Sequence, residues 1–166
     1  MRELVRDRER LEHIIDAIDR LLSAKERNIL DNLKETDFLY YGVVKNIEII
    51  GEAAYRLTKA FRDSHNESPW GDIIRMRHVL VHDYYRIKIK EVKKVINEDL
   101  EPLRSQIADY LMDTNWEEWE KSEKVIAEAA ISKNNINTAK LMLLRGYDVK
   151  EISEITGLSV EDIESL

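Results

Sequence analysis

The sequence predicts an all-α protein, an antiparallel four-helix bundle carrying a small helical C-terminal appendage. Three observations lead there. The 166 residues include only five glycines and two prolines, too little turn chemistry for a many-stranded fold. Apolar residues recur at steps of three and four over long stretches, with no competing strand-like alternation. The composition also breaks near Asp113. Residues 1–112 hold 20 basic and 21 acidic side chains, and residues 113–166 hold 6 and 12. The break divides the chain into a main domain, residues 1–112, and an acidic tail, residues 113–166.

Leu11, Ile14, Ile15, Ile18, Leu21 and Leu22 define a first amphipathic helix, from about residue 3 to the high twenties. Residues 32–36 read as a connection, with Thr36 or Asp37 as the next cap. A second stripe, Tyr40, Val43, Ile47, Ile50, Ala54, Leu57 and Phe61, predicts one helix of some six turns, followed by a polar loop over residues 62–68. Ser68-Pro69 reads as a helix start, the serine as cap and the proline at the first helical position. Met76, Leu80 and Val81 place one stripe of this third helix in the core. A fourth carries Ile89, Val92, Ile96, Leu100, Leu103, Ile107 and Tyr110, and Pro102 should kink or split it near Asp99. Four such helices with short links favour an antiparallel bundle.

In the tail, Trp116 and Trp119 open an acidic helix expected to reach Ile131, with Lys133-Asn134-Asn135 as a break. Three short helices should follow, with Gly146 and Gly157 as C′ residues and Asp148 and Ser159 as N-caps. Leu141, Leu144, Val149, Ile152, Ile155, Leu158, Val160 and Ile163 are the expected shared core. The outline is that of a helix-turn-helix, yet residues 148–166 carry Lys150 alone against six acids. A recognition helix needs cations for phosphates, so DNA is an improbable target and protein interaction or self-association the better use.

The absence of cysteine excludes a disulfide scaffold, a zinc–thiolate site and a cysteine nucleophile. The charged first twenty residues do not read as a signal peptide, and no apolar run approaches a membrane span. A cytoplasmic protein is the expectation. The net charge of −7 argues at first against nucleic acid. Its distribution reverses that inference, because residues 75–94 hold Arg75, Arg77, Arg86, Lys88, Lys90, Lys93 and Lys94 against only Asp83 and Glu91.

Within that segment lies Arg75-Met76-Arg77-His78-Val79-Leu80-Val81-His82-Asp83-Tyr84-Tyr85-Arg86. A basic, histidine-containing helix end is ordinarily a solvated terminus. These residue types also suit phosphodiester transfer without metal. A histidine near neutral pKa can take the proton of a ribose 2′-hydroxyl, and an arginine can brace the phosphate oxygens as charge develops. Arg77 and His82 are five residues apart, about 140° on an ideal helix. They converge within one chain only if the helix stops near Val81. Arg75, His78, Asp83 and Arg86 are the candidate supporting and phosphate-contacting residues, with Asp83 favouring the imidazolium.

Arg77-x4-His82-x-Tyr84 matches an R-x4-H-x-Y signature and resembles the HepT-like group of HEPN-domain proteins. Ile50-Gly51-Glu52-Ala53-Ala54, Pro69-Trp70, Ile73-Ile74, Val79 to Tyr84, Asp99-Leu100 and Pro102-Leu103 resemble that group in order and spacing, over residues 1 to about 112. The resemblance implies a HEPN-type bundle that forms a homodimer with the two R-x4-H elements facing across a shared cleft. It implies a metal-independent endoribonuclease without cofactor, acting as toxin in a type VII-like toxin–antitoxin pair. The implied antitoxin is an MntA-like nucleotidyltransferase that adds AMP to the tyrosine of the signature, Tyr84 here. One departure is His78, where the group commonly carries Asn after the arginine. Two alternatives stay open: a non-catalytic HEPN module that binds nucleotide, nucleic acid or a nucleotidyltransferase, and an adaptor acting through the acidic tail.

Lys45, Glu48 and Glu52 read as a solvated or inter-helix ion-pair stripe. His13, beside Ile14 on the apolar side, reads as structural. His65 lies in a polar loop without partners at metal-ligand spacing. Trp116 and Trp119, among Glu117, Glu118 and Glu120, read as packing residues rather than base-stacking ones.

Overall fold

The computed structural model describes residues 6–82 and 88–166. Among them every regular element is helical, as an all-α bundle requires. By its contacts the chain forms two compact units, Met1–Trp116 and Glu117–Leu166.

In the first unit, α1 (Asp7–Glu26) and α2 (Phe38–Arg56) pack side by side. They run antiparallel, since Asp7 at the start of α1 meets Thr58 just past the end of α2. Asp7 is buried, and its carboxylate accepts from the Thr58 N–H (2.7 Å) and hydroxyl (2.6 Å). This contact explains a departure from the sequence reading. The long apolar stripe of the second helix does not run on through Phe61. At Leu57 the backbone turns extended, and a new short helix, α3 (Lys59–Ser64), starts with Thr58 Oγ accepting from Phe61 N–H. Phe61 stays fully buried, so the stripe keeps its core role across a break that Thr58 caps. The expected loop over residues 62–68 is correspondingly shorter.

Helix α4 (Trp70–His82) lies against α2. Ser68 does not cap it. Its buried hydroxyl instead donates to Gln106 (2.9 Å) and lies 2.8 Å from the Tyr110 hydroxyl. Burial pushes the Tyr110 phenol up from its ordinary pKa. Around this point Phe61 stacks on His65 and Trp116, and the Trp70 indole donates to the His65 carbonyl (2.7 Å). Trp116 is thus a packing residue of the bundle, as read, and His65, read only as a polar-loop residue, packs beside it in the same aromatic cluster.

The last helix of the unit is interrupted where Pro102 predicted. Helix α5 (Ile89–Lys94) passes through a π-helical turn, Val95–Asp99, into α6 (Leu100–Asp113). Pro102 offers no N–H to the carbonyl four residues back and would collide with it; the wider turn just upstream absorbs the mismatch. The core is the joint burial of Leu11, Ile14, Ile18, Leu21, Ile47, Ile50, Ile96, Leu100 and Ile107.

In the second unit α7 (Trp116–Leu144) is one continuous helix, not two. Lys133-Asn134-Asn135 contains neither glycine nor proline, and Asn135 donates its amide to the Thr156 carbonyl (2.8 Å), so the asparagine is satisfied without breaking the backbone. Gly146 and Gly157 take positive φ, and Asp148 and Ser159 cap α8 (Val149–Thr156) and α9 (Val160–Glu164) as expected. The small core is differently phased. Ala139, Ile152 and Ile163 are buried with Met142, Leu143, Val149 and Leu158 around them. Leu141, Leu144, Ile155 and Val160 are exposed, because the inner face of α7 follows 139, 142 and 143. Among the described residues no helix is long and apolar enough to cross a membrane.

The fold depends on close contact between α2 and α4. A Cβ on Gly51 would lie 2.3 Å from Arg77 Cβ, whereas one on Gly42 would meet nothing within 4 Å. Gly51→Ala should therefore lower stability by about 1–3 kcal/mol through overpacking. Gly42→Ala should raise it by about 0.5–1 kcal/mol through helix propensity. Urea denaturation of the two variants reads the difference in sign.

Candidate functional site

Gly51 brings the α4 backbone to α2 at Arg77, and the next residue on α2 completes the contact. Arg77 Nε donates to Glu52 Oε2 at 2.9 Å, while Arg56 Nε donates to Glu52 Oε1 at 2.6 Å. The Arg77 guanidinium carbon sits 5.5 Å from the centre of the Tyr55 ring, a cation–π distance. One turn of α2 thus supplies a gap, an anion and an aromatic face to a single arginine. The Arg56 hydrogen bond is the largest influence holding the Glu52 carboxyl below its ordinary pKa, with the Arg77 charge adding to it against partial burial. Bonding through Nε leaves the Nη edge of Arg77 as donors suited to a phosphate.

His82 occupies a different side of α4. Helix α4 is described through His82, one residue past Val81. With about 100° per residue, Arg77 and His82 are separated by about 140°. The ring of His82 lies 4.6 Å from that of His78, one turn back, and both residues are exposed. Arg75 shares this outer face and pairs with Asp72 at 2.9 Å. Val81 is 38% exposed, so the expectation that it joins the core is corrected. Leu80, with Ile73 and Trp70, forms the buried stripe. Arg77 borders that stripe, which is why it turns to α2 while both histidines face outward.

Asp83, Tyr84 and Arg86 lie outside the described residues. The local excess of positive charge is partly paired: Arg77 with Glu52, Arg75 with Asp72 and Lys94 with Glu98 at 4.0 Å, while Lys93 donates to the Asp31 carbonyl at 2.8 Å. Lys88 and Lys90 stay exposed. Lys45–Glu48 (2.7 Å) and the Glu52 bridge bear out the ion-pair stripe. His13 is corrected: it is exposed and lines a charged groove with Arg10, Lys45, Glu48 and Arg56. Tyr55 was not legible as a site residue. A mid-helix glycine beside a glutamate was the available signal, since such a glycine needs a packing reason.

A HEPN-type bundle with an Arg-x4-His helix laid on a Gly-Glu helix defines a class of helical ribonucleases. The family described as "Ribonuclease HepT-like" matches residues 14–110, and the chain belongs to that family. It is 30% identical over 101 residues to a proposed RNase of Caldanaerobacter subterraneus subsp. tengcongensis, covering 61% of this chain and 90% of that one. It is 28% identical over 96 residues to a proposed ribonuclease HepT of Thermococcus cleftensis, covering 58% and 87%. A Methanocaldococcus jannaschii protein, named as a gamma-glutamylcyclotransferase and proposed RNase, is 30% identical over 97 residues, and this chain spans 44% of its length. No solved structure matches.

Glu52 is depressed, so its ionic hold on Arg77 is complete above the ordinary carboxyl value of 4.5 and is lost as pH falls through the lower folded value. Glu52→Gln should be less stable than the wild type at neutral pH, with the gap closing as pH falls below that range. Denaturation curves of both proteins across the acid range read this; a gap independent of pH would contradict it.

Proposed function

We propose that the chain is a metal-independent endoribonuclease, the toxin of a type VII-like toxin–antitoxin pair. Two copies form a homodimer in which Arg77 of one subunit and His82 of the other act on one phosphodiester. His82 accepts the proton of the ribose 2′-hydroxyl. The 2′-oxygen then attacks phosphorus while Arg77 braces the non-bridging oxygens, and the P–O5′ bond breaks. The leaving 5′-oxygen takes up a proton from water and His82 gives the proton it accepted back to solvent, so the products are a 2′,3′-cyclic phosphate and a 5′-hydroxyl. No protein nucleophile is required.

The observation that carries this reading is the anchoring of Arg77 in a chain of the HepT-like ribonuclease family. Gly51 and Glu52 hold the arginine against α2 through its Nε, which leaves its Nη groups as donors. The separation of His82 from Arg77 on α4 is what a site shared between two copies accommodates. Apolar surface is available for the pairing: Phe38 and Tyr41 on α2 and Val79 and Val81 on α4 are exposed, beside a cleft of about 370 Å³ lined by Tyr40, Tyr41, Val44, Leu80 and Val81. Arg75, His78, Asp83 and Arg86 are assigned to phosphate contact and support.

Tyr84 is assigned as the residue to which an MntA-like nucleotidyltransferase adds AMP. A bulky anion two residues from His82 silences the site by charge and volume. Residues 113–166 are assigned to protein interaction or self-association, with Leu141, Leu144 and Ile155 exposed. The place of action is the cytoplasm.

Purified protein should cleave RNA in EDTA. His82→Ala should lower the rate by at least about 100-fold, the scale of a lost general base. Equal cleavage by both proteins would overturn the assignment. AMP on Tyr84, read by mass spectrometry of protein made together with the transferase, tests the regulation.

A further inference from the structure

The arginine of the site lies against an aromatic ring that the chemistry above leaves unused. Tyr55 is 56% exposed although the Arg77 guanidinium covers part of it. A tyrosine at a helix end would ordinarily swing with a frayed last turn. Here that turn is fixed. Arg62, from α3, donates through Nη1 to three carbonyls at the end of α2: Ala54 (3.3 Å), Tyr55 (2.9 Å) and Leu57 (2.7 Å). These are the last carbonyls of α2, which lack intrahelical partners. The Glu52–Arg56 pair braces the same turn from the other side. The ring is therefore an exposed aromatic surface on a backbone locked by side-chain hydrogen bonds, set 5.5 Å from the cation that receives the phosphate.

Stability alone gives little reason for this arrangement, since a half-exposed aromatic ring buries little apolar area. A single-stranded nucleic acid supplies a reason. Its bases have π-faces that stack on exposed aromatics, and its phosphates seek guanidinium groups within the span of one nucleotide. Arg62 and Arg56, bonded to the same turn, add positive potential near the ring.

We infer that Tyr55 is a base-stacking platform: it holds the base next to the phosphate that Arg77 engages and so sets where on a single strand the scissile bond comes to rest. The inference rests on the ribonuclease reading for the phosphate at Arg77 but not on cleavage. It assigns Tyr55 to positioning of the substrate, not to the chemical step.

The test uses the full chain and single-stranded deoxyoligonucleotides of about nine nucleotides, a length within the usual site sizes. They lack the 2′-hydroxyl nucleophile and so report binding alone. One set is complete, and a second carries a single abasic position moved along the strand. For the wild type, one abasic position should weaken binding about tenfold, the order expected for one lost stack. Tyr55→Leu should bind the complete strand about tenfold more weakly and show no further loss at that abasic position. Tyr55→Phe, which keeps the ring, should restore the wild-type pattern. With RNA, Tyr55→Leu should raise KM and leave kcat within about twofold.

A Tyr55→Leu protein that binds as well as the wild type overturns the inference. So does one that loses the same factor on complete and abasic strands alike, because Tyr55 then acts only through Arg77. Tyr55-dependent binding in a protein that cleaves no RNA supports the platform and overturns the catalytic reading. Absence of binding to every strand overturns the platform, and overturns the ribonuclease reading only where RNA is not cleaved either.

Discussion

The close approach of α2 and α4 at Gly51 is the constraint on which the rest of the site depends. With no side chain at position 51, the α4 backbone comes near enough that an added Cβ would lie 3.2 Å from Arg77 Cα. Position 52 then reaches Arg77 Nε, position 55 lies under the guanidinium, and position 56 neutralises the remaining carboxylate oxygen. Positions 55 and 56 lie three and four residues beyond position 52, neighbours on the surface of one helix. The glycine costs α2 some helix propensity, and its return is a fixed arginine.

Fixing Arg77 on the inner side of α4 leaves the histidines on the outer side. His78 and His82 sit one turn apart, with their rings in contact. In the proposed dimer a phosphate held by Arg77 of one subunit is approached by a histidine of the other. The exposed apolar residues at the start of α2 and the end of α4 lie at that end of the bundle. The proposed dimer follows from this division of groups around one helix.

Much of this was legible in the residues themselves. Apolar spacing placed the main helices, and Pro102 placed the interruption of the last one, because both act through local backbone geometry. Gly146, Gly157, Asp148 and Ser159 announced their turns for the same reason. What periodicity could not show was determined by partners distant in sequence. The end of α2 is set by Asp7 bonding Thr58 across 51 residues, and the continuity of α7 by Asn135 finding Thr156. Ser68 looked like a cap and was recruited by Gln106 and Tyr110. In the site, the motif carrying Arg77 and His82 was visible as a string, but its splitting between two faces of α4 required knowing that His82 is still helical and packs its ring beside His78. The pairing of Glu52 with Arg77 needed the crossing at Gly51, and Tyr55 gave no signal in sequence.

The central claim is that one reactive centre combines Arg77 of one subunit with His82 of the other. Equal amounts of Arg77→Ala and His82→Ala proteins, each inactive alone, can be unfolded together and refolded as a random mixture of dimers. Half of the dimers are then mixed, and each of these holds one centre with both groups intact. The account predicts recovery of about a quarter of wild-type RNA cleavage, as two-fold symmetry of the pair dictates. A mixture as inactive as its two components, although mixed dimers have formed, would contradict it.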